Sequence, residues 1–188
     1  MFQRVLLRED IPEELDAPNE FYIDDNGILY YYPEENFKTA SFTTPLVDDN
    51  LVTLTDVNYI TFENLIFETS LKHGFTLKNT DHLTFKGCTI RDIYEKAMIG
   101  TATNFLFTEN EVCYIGNAGL DIDGGDPATL TRSNNIFCNN YFHNWSTRST
   151  MAFAISAGGC GATICHNEVA NSDALAPSGR LALCCREP

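Results

Sequence analysis

Thr103 to Asp126 reads TNFLFTENEVCYIGNAGLDIDGGD. Phe105, Phe107 and Val112 mark one short alternating run, and Leu120 and Ile122 mark a second. Each run is too short for a helix and is bounded by Gly or Asn, which predicts strands. The two stretches before it follow the same plan: Val57–Asn79 (VNYITFENLIFETSLKHGFTLKN) and Thr80–Ala102 (TDHLTFKGCTIRDIYEKAMIGTA). Strand, turn, apolar position, bend, small residue and strand recur in that order. A repeat of about 22 residues, each carrying several short strands, predicts a solenoid of the β-helix kind.

The repeat phases on one anchor per unit: Phe62, Phe85, Phe107, Phe137 and Ile164. Leu65, Cys88, Asn110, Asn140 and Asn167 follow at a fixed offset, and then Phe67, Ile90, Val112, Phe142 and Val169. A further inward set is expected at Phe75 and Leu77, Ala97 and Ile99, Leu120 and Ile122, and Phe153 and Ile155. Asn at one phase predicts a ladder, because an inward amide can bond the Asn of the coils above and below. Simple turn chemistry is the alternative. No coil is stable alone: ordering a residue costs about 1–2 kcal/mol, while burying a large apolar side chain returns about 1.5–3 kcal/mol. Stacking must supply the rest.

The chain has 188 residues and a formal charge of −14, with 44% apolar residues. That length is one domain by the usual prior. The acidity argues against nucleic acid and against anionic membrane surfaces, since both need a basic face. No run is long enough to span a bilayer. Thirteen Phe and eight Tyr suit strands. Of seven Cys, Cys88, Cys113, Cys138 and Cys165 fall at or near strand positions, where reduced thiols are expected to act as small apolar residues. A bond between the adjacent Cys184 and Cys185 is not expected. No CxxC or Cys/His spacing indicates zinc, so no metal ligand set is assigned.

Three regions are expected: a flank over residues 1–50, a β-helix over 51–172 and an unphased tail over 173–188. In the flank, FYIDDNGILYYY (residues 21–32) predicts a hairpin turning at Asn26-Gly27 and covering an end or side of the solenoid. Loops of variable length at Asp126–Ser133 and Asn144–Thr150 are expected to carry specificity. Asn144-Trp145-Ser146 is a lone glycosylation sequon, and MFQRVLLRED lacks the apolar core of a signal peptide.

These units resemble right-handed parallel β-helix proteins of the pectin-lyase-like superfamily, most closely glycoside hydrolases like those of family 141. The resemblance runs from Ile11 to Ser172. It is carried by FYIDDNGILYYYP, FENLIFETSLKHGF, GNAGLDIDGGDPATLT, HNWSTRST and CHNEVANS. It implies an all-β right-handed parallel β-helix of about five coils with an N-terminal β-hairpin. It also implies a polysaccharide or oligosaccharide partner and an extracellular location. There are two departures: Pro127 stands where the family commonly has a basic residue, and relatives continue after Ser172 with further coils. The expectation is therefore a portion of such an enzyme, self-associating through its open C-terminal coil and of marginal stability.

The candidate catalytic pair is Asp121 and Asp123. Alternation turns Leu120 and Ile122 inward, so both aspartates project outward, about 6.5–7 Å apart along the strand. Their neighbours are expected to be Met98 and Gly100, then Thr76 and Lys78, on one side, and Ala154 and Ser156 on the other. Two carboxyl groups on one face suit glycoside hydrolysis, where one protonates the leaving oxygen and the other activates water or attacks carbon. Asp126 could reach the same groove. His73, His143, Trp145 and Arg148 are candidates for substrate binding; a structural bond at His73 and loop anchoring at Trp145 and Arg148 compete with that role. Glu95 and Lys96 read as a solvated bend. No cofactor is required, although Asp121, Asp123 and Asp126 could ligate Ca²⁺ in a lyase, with Arg148 or Lys78 as base. A non-catalytic binding solenoid is the remaining alternative.

Overall fold

A computed structural model describes residues 15–18, 20–24, 26–33, 48–149 and 152–172, with the backbone of 183–186. The chain before residue 15, Thr150 and Met151 in the second loop, and most of the tail lie outside the described residues. The chain divides into two units, Met1–Thr43 and Thr44–Pro188. Every regular element among the described residues is a strand.

In the first unit β1 (Phe21–Ile23) pairs antiparallel with β2 (Leu29–Tyr31), with Tyr22 opposite Tyr30. The turn is longer than the Asn26-Gly27 pair predicts. Asp24 N–H donates to Ile28 O at 3.0 Å, and the Asp24 carboxylate accepts from the Asn26 and Ile28 amides at 2.9 and 2.8 Å. Gly27 has φ +78. A three-residue loop with Gly in the left-handed position needs no second such residue.

The second unit is the solenoid. It opens with β3 (Val52–Thr55). The first coil holds β4 (Thr61–Glu63), β5 (Ile66–Ser70) and β6 (Phe75–Asp81). The second holds β7 (Thr84–Lys86), β8 (Thr89–Ile93) and β9 (Met98–Thr103). The third holds β10 (Leu106–Thr108), β11 (Glu111–Ile115) and β12 (Leu120–Gly124). The fourth holds β13 (Ile136–Cys138), β14 (Tyr141–Trp145) and β15 (Ile155–Gly159). The fifth holds β16 (Thr163–Cys165), β17 (Glu168–Ser172) and β18 (Leu183–Arg186).

Corresponding strands pair in parallel to form three walls. The first is β4-β7-β10-β13-β16, the second β5-β8-β11-β14-β17, and the third β3-β6-β9-β12-β15-β18. The anchors fall in one file, Phe62 to Phe85 to Phe107 to Phe137 to Ile164. Phe85, Phe107 and Phe137 are fully buried, and the Phe62 and Phe85 rings stack at 4.6 Å. Five residues on, Phe67, Ile90, Val112, Phe142 and Val169 form the second expected file.

The Asn ladder forms between these walls. Asn110 and Asn140 are each 2% exposed. Asn140 Oδ1 accepts from Asn110 N–H and Nδ2 at 3.0 and 3.1 Å, and Asn167 Oδ1 accepts from the same two groups of Asn140 at 3.0 and 2.9 Å. Each Nδ2 also donates to the anchor carbonyl of the preceding coil, Phe85 O and Phe107 O. The bend is made by the residue just before, Asn64, Gly87, Glu109, Asn139 or His166, all at positive φ.

The third wall corrects the expected phase. Leu120 pairs with Met98 on one side and Ile155 on the other. Its inward pairs are therefore Met98 with Gly100 and Ile155 with Ala157, not Ala97 with Ile99 or Phe153 with Ile155. Gly100 hides the pattern. Its φ is +138, and a Cβ there would collide with the Leu77 carbonyl, so an inward slot holds no apolar side chain. A one-residue slip exchanges the two faces of a strand, so this correction also changes the neighbours of the aspartates.

Cys138 and Cys165 are also corrected. They are register partners on β13 and β16, with Cα atoms 4.8 Å apart, and are joined as a disulfide. Adjacent parallel strands place in-register side chains on the same face at about that spacing, which is within disulfide range. Cys88 and Cys113 are buried and lie outside any disulfide. The tail is not wholly without phase either: Leu183 to Arg186 pairs with Ile155 to Gly158.

The turns between the third and first walls carry their own polar cluster. Asp81 accepts from Asn104 Nδ2 and Thr103 Oγ1, both at 2.8 Å, and lies 2.6 Å from His82 Nδ1. These bonds, Asn104's first, hold its pKa down to about 2. A depressed carboxylate pKa stabilises the fold above the unfolded value of about 4 and loses that contribution as pH falls through the folded value. Asp81→Asn should therefore flatten the fall of the urea midpoint between about pH 4 and 2. An unchanged acid limb would show that the cluster does not contribute.

Candidate functional site

Asp121 and Asp123 lie on the outer face of β12, between the inward Leu120 and Ile122. Their true neighbours follow from the register. Asp121 stands between Ile99 and Ser156, and Asp123 between Thr101 and Gly158. One coil further back, Thr76 pairs with Ile99. Lys78 pairs with Thr55 beside an irregularity in β6 that shifts the register before Thr80. Met98, Gly100 and Ala154 do not flank the aspartates.

The two carboxylates differ in surroundings. Lys96 Nζ is 2.6 Å from Asp121 Oδ2, and the side chains are only 22% and 15% exposed. Lys96 is thus no solvated bend residue. It precedes β9 and reaches across a coil boundary to a strand 25 residues on. Asp123 is exposed, and its carboxylate lies over Gly158, where a Cβ would strike it. Thr76 Oγ1, on the same wall, is buried without a hydrogen-bond partner.

His73 lies one coil below Lys96, and its Nδ1 accepts from the Lys96 amide at 3.3 Å. Burial, the largest cause, lowers its pKa and favours the neutral ring that this bond requires. Its geometry is that of the structural bond. Asp126 turns away from the pair into its own loop. Its carboxylate accepts from Ala128 N–H at 2.9 Å and Thr129 Oγ1 at 2.8 Å, and the Thr129 bond chiefly lowers its pKa.

The other three candidates belong to other surroundings. Trp145 is 1% exposed, in register with Ile115 and Ser172, so it is a core residue and not a loop platform. The cause is Asn144, whose φ of +52 resets the pleat so that Phe142 and Trp145 both turn inward. Thr69, Asp92, Tyr114 and Asn171 hold positive φ at the same place in the other coils. Arg148 lies with its guanidinium 3.8 Å from the centroid of the Tyr94 ring, and its amide donates to Gly116 O at 2.8 Å, which anchors the loop. His143 projects from β14 on the second wall, where its Nε2 is 2.9 Å from Glu111 Oε1.

Among the described residues, the group of His, Cys, Asp or Glu with ligand atoms all within 4.8 Å is Glu111, Cys113 and His143. Asp121, Asp123 and Asp126 form no such group. The sequence reading missed Lys96, Glu111 and Cys113, because each gains its partner only through the register of neighbouring coils.

A family model described as "right handed beta helix region" matches residues 26–179. No curated protein and no solved structure matches the chain.

Proposed function

The chain belongs to the right-handed β-helix family, and from that premise we propose that it is carbohydrate-active and hydrolyses glycosidic bonds of a polysaccharide. The observation that carries the reading is the pairing of Asp121 and Asp123 on one outer strand face, with only Asp121 held by Lys96. The resemblance to family 141-like hydrolases of the pectin-lyase-like superfamily points the same way.

In the mechanism that follows, Asp121 is the carboxylate that activates water or attacks the sugar carbon, its negative charge supported by the Lys96 ammonium. Asp123, exposed beside the bare Gly158, donates a proton to the leaving oxygen. This divides the two roles that glycoside hydrolysis needs. Thr101 and Ser156 are small neighbours that leave a flat floor for a sugar chain.

The test is release of aryl alcohol from aryl glycosides, and of reducing ends from plant polysaccharides. Binding without turnover would favour the non-catalytic solenoid, and unsaturated products dependent on Ca²⁺ would favour the lyase. Gly158→Ala should push the Asp123 carboxylate aside and lower kcat/KM about 100-fold, the cost of misplacing a reacting group by about 1 Å. Unchanged turnover in that variant would remove Asp123 from the reaction.

A further inference from the structure

We propose that the outer face of the second wall binds one divalent transition-metal ion, zinc for preference, through Glu111, Cys113 and His143. Cys113 and His143 are direct register partners on β11 and β14. Glu111 lies two residues before Cys113 and so shares its outward face. The three ligand atoms all lie within 4.8 Å of one another. Small side-chain adjustments close that spacing to zinc bonds of about 2.0–2.3 Å.

The donor set selects the metal. A thiolate, an imidazole and a carboxylate suit zinc or cobalt and do not suit calcium or magnesium, which take oxygen ligands. Three protein ligands leave a fourth position for water, as in open zinc sites. The charges also match, since one thiolate and one carboxylate balance a divalent ion. Arg91, the register partner of Cys113 on its other side, is taken up by Glu68 at 2.6 Å.

The ligands are held before any ion arrives. His143 stacks on Tyr141 at 4.4 Å and meets Tyr114 edge-on at 5.9 Å. Thr89 Oγ1 is 3.5 Å from the second oxygen of Glu111. Cys113 is 3% exposed. The ion displaces the thiol proton of Cys113 and the proton between His143 and Glu111, both released to solvent, so its binding weakens in acid.

The experiment uses the purified full chain, stripped with a chelator and titrated with Co²⁺ under reducing conditions. One equivalent should give a thiolate-to-cobalt charge-transfer band with tetrahedral d–d absorption, and Zn²⁺ should displace it. Cys113→Ser should abolish the band, Cys160→Ser should keep it, and His143→Gln and Glu111→Gln should each weaken binding about tenfold or more. No band in the wild-type chain would overturn the assignment without recourse to a variant, as would a band surviving Cys113→Ser in a folded protein. Asp121→Asn should leave the band unchanged, so the metal site and the glycosidase reading fail independently.

Discussion

Replacing Asn140 with Leu should lower the unfolding free energy by about 3–5 kcal/mol, measured by urea denaturation. The side chain is 2% exposed and connects three coils. Its loss strands Asn110 N–H and Phe107 O inside the solenoid and takes one of its two donors, the Nδ2 amide, from Asn167 Oδ1. Each buried group left without a partner costs about 1–3 kcal/mol, while native domains hold only about 5–15 kcal/mol in total. Asn134→Gly is the control, because Asn134 has a φ of +53, which Gly adopts without strain and Ala does not. It also deletes an Asn–Asn bond between coils, to Asn104 at 3.1 Å, but in an exposed place where water replaces it. That variant should stay within about 0.5 kcal/mol of the wild type. Equal losses in the two variants would mean that burial of the stacked amides does not set the cost of this column.

Asp121→Asn and Asp123→Asn should each lower polysaccharide turnover by about 10²–10⁴-fold, the range for a positioned acid or base. The melting temperature separates chemistry from folding. Asp123 is exposed and projects away from the core, so its variant should melt with the wild type. Asp121→Asn leaves Lys96 without its carboxylate, so a modest drop in melting temperature is expected beside the loss of rate. Lys96→Met should reduce turnover in the same direction. Full activity in both aspartate variants would end the hydrolase reading and leave the fold intact.

The parts of this molecule that could be read beforehand share one property: a single residue type recurs at a fixed offset. Phe62, Phe85 and Phe107 announce the first wall, and Asn110, Asn140 and Asn167 announce the ladder. Register then follows, since parallel strands one coil apart must align these files. Where a position is defined by backbone conformation, residue type gives no signal. Thr69, Asp92, Tyr114, Asn144 and Asn171 share a left-handed φ and nothing else, so the inward turn of Trp145 could not be foreseen. Gly100 fills an inward slot with no side chain, which hid the phase of the third wall. Lys96 and Asp121 lie 25 residues apart and meet only because the coils stack. The same holds for the cluster of Glu111, Cys113 and His143. The outward position of Asp121 and Asp123 needed only the alternation within one strand, and that was legible.

The Cys138–Cys165 bridge ties points 27 residues apart, which is one full turn of the ribbon. The chain between them includes the 144–150 loop. A cut there would leave two polypeptides hooked together like links of a chain, parting on a denaturing gel only after a reducing agent is added. Damage at that loop would therefore register as a nick and not as the loss of a fragment.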